Sequence, residues 1–408
     1  MFEQKILERF SEVVLKIGVN IQKNQGLEII CPVEKSQVAL AITKKAYQLG
    51  ASIVRVRWSC EGLDKLNYTN ATTKELCDIP KWLVESKNDL VKRNFCYVAI
   101  SSENPKAFDG IPAEKISAVN VAKSKAMKKF FENVTTNKIR WCVVSVPTKE
   151  WAKVVFPQSK NAEQDLANAI IMNMRLDKED PIAEWNKHVE QLDSHVRFLN
   201  ENNFEYLEFT NKSGTNLKVG LCQDHVWQSA KELAWDGVSF IANLPTEEVF
   251  TAPHRLKVEG TVKGAKPLCI NGQIIDRFSL TFKKGKIVDF SAEVGYDALK
   301  SLIHTDSGTC RLGEVALIGK NSPIAKSGIL FYNTLFDENA SCHVALGKAY
   351  PTTVKNGNSL SIKQLTMLGA NNSIEHEDLM IGTPDVNVVG ITHNGKRIQL
   401  LEDGDWVI

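Results

Sequence analysis

No two of the nine cysteines are spaced C-x-x-C; they stand singly at 31, 60, 77, 96, 142, 222, 269, 310 and 342. An odd, scattered set argues against a disulfide framework and for reduced thiols in a reducing compartment. No apolar run approaches the roughly 18 residues that a membrane span requires. The stretch up to Val19 carries charges throughout, whereas a secretory signal needs an uninterrupted apolar core. Charge of one sign is also lacking, since Lys plus Arg number 50 against 48 for Asp plus Glu. Nothing in that balance draws the chain toward nucleic acid or a membrane surface. There is no G-x-G-x-x-G after the first apolar strand, no Walker A sequence, no internal repeat and no low-complexity linker. A soluble, cytoplasmic protein is the expectation.

What is present divides into two halves. A chain of 408 residues exceeds one ordinary core and suits two domains of about 200 residues each. In the first half helix and strand alternate. Phe2, Ile6, Leu7, Phe10, Val13, Val14 and Ile17 recur at helical spacing, followed by the apolar run 27–31, a helix at 36–49 and a strand at 53–58. The pattern repeats with a helix at 82–93 before a strand at 96–101, and a Lys-rich helix at 113–132 before a strand at 140–146. Helices at 161–175 and 180–202 close this half. Parallel strands need such crossovers, so the spacing predicts an open, mostly parallel, Rossmann-like sheet in an α/β domain over 1–205. Without a phosphate loop that outline gives no ground for a nucleotide.

From about 205 the grammar changes to short strands with turn signals, at 206–210, 211–215 and 217–221. More follow at 256–262, 267–282 and 286–290, with Asn271-Gly272 as a hairpin turn. Helices are few, 294–302 being the clearest. The end of the chain reads as strands at 386–392 and 397–401. The second domain, 206–408, is therefore expected to be α+β and rich in antiparallel strands.

Eight histidines are few enough to weigh one by one. His188 and His195 sit on one predicted helix. His225 and His304 lack neighbouring ligands, His254 lies near a carboxylate pair, and His393 falls in a turn. His376 differs, because it stands one residue from Asp378 in NNSIEHED. In an extended segment that spacing points an imidazole and a carboxylate to one face, where they can share a divalent metal. His343 lies in LFDENASCHVALGKAY, five residues after Glu338 and seven before Tyr350. Two acids complete the pattern: Glu248, paired with Glu247 after a proline, and Glu314 within RLGEVAL. An acid inside an apolar run is costly to bury unless it is paired or bound to a cation. Each alone reads equally as a solvated charge or a polar loop. Glu248, Glu314, Glu338, His343, His376 and Asp378 together offer oxygen and nitrogen donors without cysteine. That mix suits a dinuclear hydrolytic site for zinc, cobalt, manganese or magnesium.

At these residues the chain is similar to the thermophilic aminopeptidase family of metallopeptidases, the aminopeptidase T, aminopeptidase S and PepS group. NLPTEEVFTAPH (243–254), RLGEVALIG (311–319), LFDENASCHVALGKAY (335–350) and NNSIEHEDLMIG (371–382) carry the likeness, in the family's order and approximate spacing. The resemblance implies two metal ions per chain held by Glu248, Glu314, His343, His376 and Asp378, with Glu338 as a further ligand. It implies Tyr350 facing the scissile carbonyl, and homodimers whose active sites open on an internal cavity. Short peptides with a free N-terminus are then the substrates.

The chemistry of such a site follows from its residues. A water bridged by two cations approaches a neutral pKa, one cation polarises the carbonyl and the other can hold the free amine. Glu314 is the candidate acceptor of the water's proton, with Glu247 in reserve, and Tyr350 hydrogen-bonds the oxyanion. Two alternatives compete. A metal hydrolase for another substrate class, such as phosphoesters, favours Arg and Lys around the metals, and the four motifs carry few. A non-catalytic ligand- or partner-binding protein would rely on the Rossmann-like half, which has no phosphate loop.

Overall fold

Leu27, Ile29 and Cys31 alternate along Gly26–Pro32 and are buried, as do Cys96, Val98 and Ile100 along Cys96–Ile100. This period of two places each strand inside a layered α/β core. The computed structural model describes residues 2–102, 104–270 and 273–408. Its first sheet has the order Ile53–Ser59, Gly26–Pro32, Cys96–Ile100, Trp141–Val144, and every pairing is parallel. Ser36–Gln48 supplies the crossover from the first strand to the second, and Lys81–Lys92 precedes the third. The open parallel sheet expected for this half is present. The Lys-rich helix is broken into Ala113–Ala126 and Lys128–Thr135, because Met127 leaves helical geometry with ψ near 6°. Glu61–Asn70, Thr73–Cys77 and Lys149–Val155 are helices that the sequence reading did not assign, all of ten residues or fewer and carrying weak periodicity.

The chain divides into two compact units, Met1–His188 with Lys231–Thr246, and Val189–Ala230 with Glu247–Ile408. A single boundary at 205 was the expectation; the division instead returns a hairpin to the first unit. Lys231–Leu233 and Ser239–Ile241 form that hairpin. Its end lies along the edge strand of the parallel sheet, where the Val143 N–H donates to Ala242 O at 2.7 Å and the Leu244 N–H to Val143 O at 3.0 Å. An otherwise open edge is thereby covered. Arg140, 2% exposed, fastens the hairpin: its guanidinium lies 3.1 Å from Asp236 Oδ2 and donates to Gln25 Oε1.

The second unit is built on antiparallel strands, as expected. One sheet runs Lys286–Ser291, Ser279–Lys283, Pro253–Lys263, Asn216–Leu221, Phe204–Thr210, Asn387–Thr392, Arg397–Glu402, Asp405–Trp406. Residues 211–215 are the turn between two of these strands rather than a strand. Leu268–Ile270 pairs with Gln273–Ile275, and the hairpin turn expected at Asn271-Gly272 lies outside the described residues. A smaller sheet runs His376–Met380, His343–Gly347, Leu312–Leu317, Val249–Thr251, again antiparallel throughout. No helix among the described residues is long and apolar enough to cross a membrane.

The Arg140 network yields a stability prediction. Asp236→Ala leaves a buried guanidinium without its carboxylate, and should destabilise the first unit by about 3 kcal/mol. A lowered urea midpoint, read by tryptophan fluorescence, checks it.

Candidate metal centre

Four of the candidate side chains share one face of the smaller sheet because strands alternate with a period of two. Glu314 lies opposite Ala345, and Ala345 opposite Asp378. His343 is two residues from Ala345 and His376 two from Asp378, so both project to the same side. Phe250 is opposite Ala316, which places it on that face also, with Glu248 two residues earlier. Ala345 and Gly347, opposite Asp378 and His376, are small and leave the space between the strands to the polar groups.

The distances are those of a converging cluster. His343 Nε2 lies 3.1 Å from Glu248 Oε2, 3.4 Å from Glu314 Oε1 and 3.8 Å from Asp378 Oδ1. His376 Nε2 lies 3.5 Å from Asp378 Oδ1 and 3.8 Å from Glu314 Oε2. Both rings are held from behind, His343 Nδ1 by Glu338 O at 3.1 Å and His376 Nδ1 by Lys348 O at 2.7 Å. A Nδ1–H donated to a backbone carbonyl fixes the tautomer and turns Nε2 inward. Two glycines make the backbone approaches possible. Gly347 adopts φ +106°, and a Cβ there would meet Glu375 O at 2.2 Å; at Gly382 it would meet Cys342 N at 2.6 Å.

Electrostatics set the cluster's character. Burial pushes Glu314 and Glu338 upward, Glu338 well above the carboxylate range with the help of Asp378 and Glu248. Burial disfavours charge on the imidazoles, yet Glu248 and Glu314 hold His343 well up, and Asp378 and Glu314 hold His376 at about 10. Desolvation acts on Asp378 too, but His376, His343 and a hydrogen bond from Glu338 hold it down at about 2. Four carboxylates therefore crowd a volume in which only two imidazoles can be positive. Glu248 Oε2 and Asp378 Oδ1 are buried with no hydrogen-bond donor aligned to them. Ligand atoms of Glu248, Glu314 and His343 lie within 4.8 Å of one another, and so do those of Glu314, His376 and Asp378. Buried, donor-poor carboxylate oxygens beside inward-facing Nε2 atoms fit divalent metal.

The other expected residues lie around this cluster. Glu338 is buried in the short helical turn Glu338–Ala340 and belongs to neither three-residue group. The Tyr350 ring is 4.8 Å from the His376 ring and 6.4 Å from Phe250. Glu247 is buried, its N–H donating to Asn339 Oδ1 at 2.7 Å. Cys342 Sγ turns away to the backbone of Ile318, at 3.4 to 3.5 Å. Two other histidines have roles of their own: His225, partly buried, is pushed down to about 4, chiefly by desolvation, and His195 stacks on Trp406. Sequence reasoning passed over Asp306, whose carboxylate accepts from Ser373 Oγ and from the Ile374 and Gly308 N–H groups, fixing the chain just before His376. Its D-S-G turn sequence was the only local signal. It also passed over Asp337, which accepts from the Phe331 and Asn333 N–H groups beside Glu338.

Residues 3–406 match the model of the family "Thermophilic metalloprotease (M29)". The chain belongs to that family. Aminopeptidase 2 of Geobacillus stearothermophilus is 40% identical over 99% of this chain and 98% of its own. Aminopeptidase PepS of Streptococcus thermophilus is 38% identical, and aminopeptidase T of Thermus thermophilus 36%, each over 98% of both chains. The solved structure of wild-type AmpT from Thermus thermophilus superposes with a TM-score of 0.92 at 35% identity, covering 99% of this chain and 100% of that one. A 2,5-dihydroxypyridine dioxygenase from Pseudomonas putida superposes at 0.55 with 12% identity, which shows a shared fold alone. As a member of M29 with aminopeptidases at this identity, the chain is a metal-dependent aminopeptidase, a hydrolase.

In this M29 chain, chelation should abolish activity, and added cobalt, zinc or manganese should restore it. His343→Ala, His376→Ala and Asp378→Ala should each lower metal content, whereas Cys342→Ser should leave it unchanged. Elemental analysis alongside peptide hydrolysis reads all of these outcomes, and metal at the native level in all three ligand variants would refute the assignment.

Proposed function

We propose that the chain holds two divalent metal ions and uses them to release N-terminal residues from short peptides. The observation that carries this reading is the position of Glu314, whose Oε1 faces His343 and whose Oε2 faces His376, so that one carboxylate serves both ligand groups. Glu248, Glu314 and His343 would hold one ion, and Glu314, His376 and Asp378 the other, with Glu338 as a further ligand. When bound, such ions supply Lewis acidity at a carbonyl and bring water toward a neutral pKa. Zinc, cobalt, manganese and magnesium all suit these donors, and availability decides among them.

The chain's own groups supply the rest. Glu314 and Glu247 are the two candidates for accepting a proton from the attacking water. Glu314, set between the two imidazoles, is the first of these, with Glu247 in reserve. Tyr350, flanked by His376 and Phe250, would donate its phenolic proton in a hydrogen bond to the carbonyl oxygen as negative charge develops there. Every one of these residues belongs to the second unit, which is the catalytic one in this reading. The family likeness supports a homodimer enclosing the sites, which restricts access to short peptides with a free amine. None of the nine cysteines is joined in a disulfide, which supports a reducing, cytoplasmic setting.

Two experiments test the proposal. Glu314→Gln should lose metal, whereas Glu247→Gln and Tyr350→Phe should keep it. Tyr350→Phe should lower kcat by a factor of about 10 to 10³; an unchanged kcat would remove the role given to the phenol. Separately, N-acetylation should stop turnover of peptides of a few residues, folded proteins should survive intact, and light scattering should report about twice the 45.5 kDa chain mass. Efficient cleavage of acetylated peptides at internal bonds would refute the N-terminal specificity.

A further inference from the structure

Asn339 is fully buried and uncharged, yet its side chain connects two separate carboxylate-bearing segments of the candidate metal centre. Its Oδ1 accepts the Glu247 N–H at 2.7 Å, across 92 residues of sequence. Its Nδ2 donates to Leu335 O at 3.0 Å and to Glu338 Oε1 at 3.3 Å. An amide can accept from a backbone N–H and donate to a carboxylate at the same time. A carboxylate in its place would set two anions against each other, and an aliphatic group would strand a buried donor and a buried acceptor.

The geometry points to Asn339 as a positioning residue for the metal centre. Through the Glu247 backbone it sets the neighbouring Glu248, and through Nδ2 it orients Glu338 toward Asp378. The inference rests on reading the cluster as a metal centre. An amide serving only to close the fold could satisfy itself with backbone partners, whereas here one donor is spent on a carboxylate of the cluster. The consequence is pre-organisation: groups behind metal ligands typically alter affinity by about 10- to 100-fold when removed.

The test uses the full chain, stripped with a chelator and titrated with Co²⁺ while visible absorption and heat of binding are followed. The melting temperature of each metal-free form is measured in parallel. Asn339→Ala should bind Co²⁺ about 10- to 100-fold more weakly than the unaltered chain, with a changed absorption band. Asn339→Ser, whose hydroxyl reaches at most one of the two partners, should fall between them, and decides the matter if the alanine variant does not fold. Unaltered Co²⁺ affinity and spectrum in a folded variant would overturn the proposal, even with a lowered melting temperature, since that is the outcome for a packing role. Failure of the unaltered chain itself to take up Co²⁺ would instead overturn the metal-centre reading, and this inference with it.

Discussion

Four carboxylates, three buried and the fourth partly so, cannot share one small volume without compensating positive charge, and the second unit is organised around that constraint. Glu248, Glu314 and Asp378 each lie 3.1 to 3.8 Å from an imidazole nitrogen, and Glu338 is buried among their charges. Desolvated anions this close favour protonation, and Glu338 shows the effect most strongly. Such an arrangement survives folding only where a cation or a proton is close at hand.

The scaffold meets the constraint with backbone rather than with further charge. Both histidines are held by carbonyls, Glu338 O and Lys348 O, which leaves their inner nitrogens directed at the carboxylates. Asp306 and Asp337 gather N–H groups ahead of His376 and Glu338, and each spends its own charge on the loop it fixes. The smaller sheet then does what a loop could not. Its register places Glu314, Ala345 and Asp378 in one row, so side-chain directions are fixed by strand pairing. The fold itself is shared with a dioxygenase at 12% identity.

Much of the architecture was legible locally. The apolar run 27–31 and the segment 96–101 read as strands, the helices between them predicted a parallel sheet, and the turn-rich second half predicted antiparallel pairing. Each of these rests on residues that are neighbours in sequence, where period and propensity act directly. The unassigned helices at Glu61–Asn70 and Lys149–Val155 are short, and the hairpin at 231–246 joins the first unit through pairing with Val143 that no local pattern encodes.

The sequence by itself determined the donor types, the absence of cysteine among them, and the local geometry of His376 and Asp378, since an extended H-x-D segment must show both side chains on one face. It also carried the four motifs on which the family likeness rests. Only the tertiary structure decided that Glu314 stands between the two histidines, and that Asn339 ties Glu247 to Glu338. Residues 29 to 95 positions apart reach contact distance only through sheet register and buried hydrogen bonds, such as the strand pairs joining 249–251 to 312–317 and 343–347 to 376–380. Those are properties of the folded chain, and no spacing along the sequence fixes them.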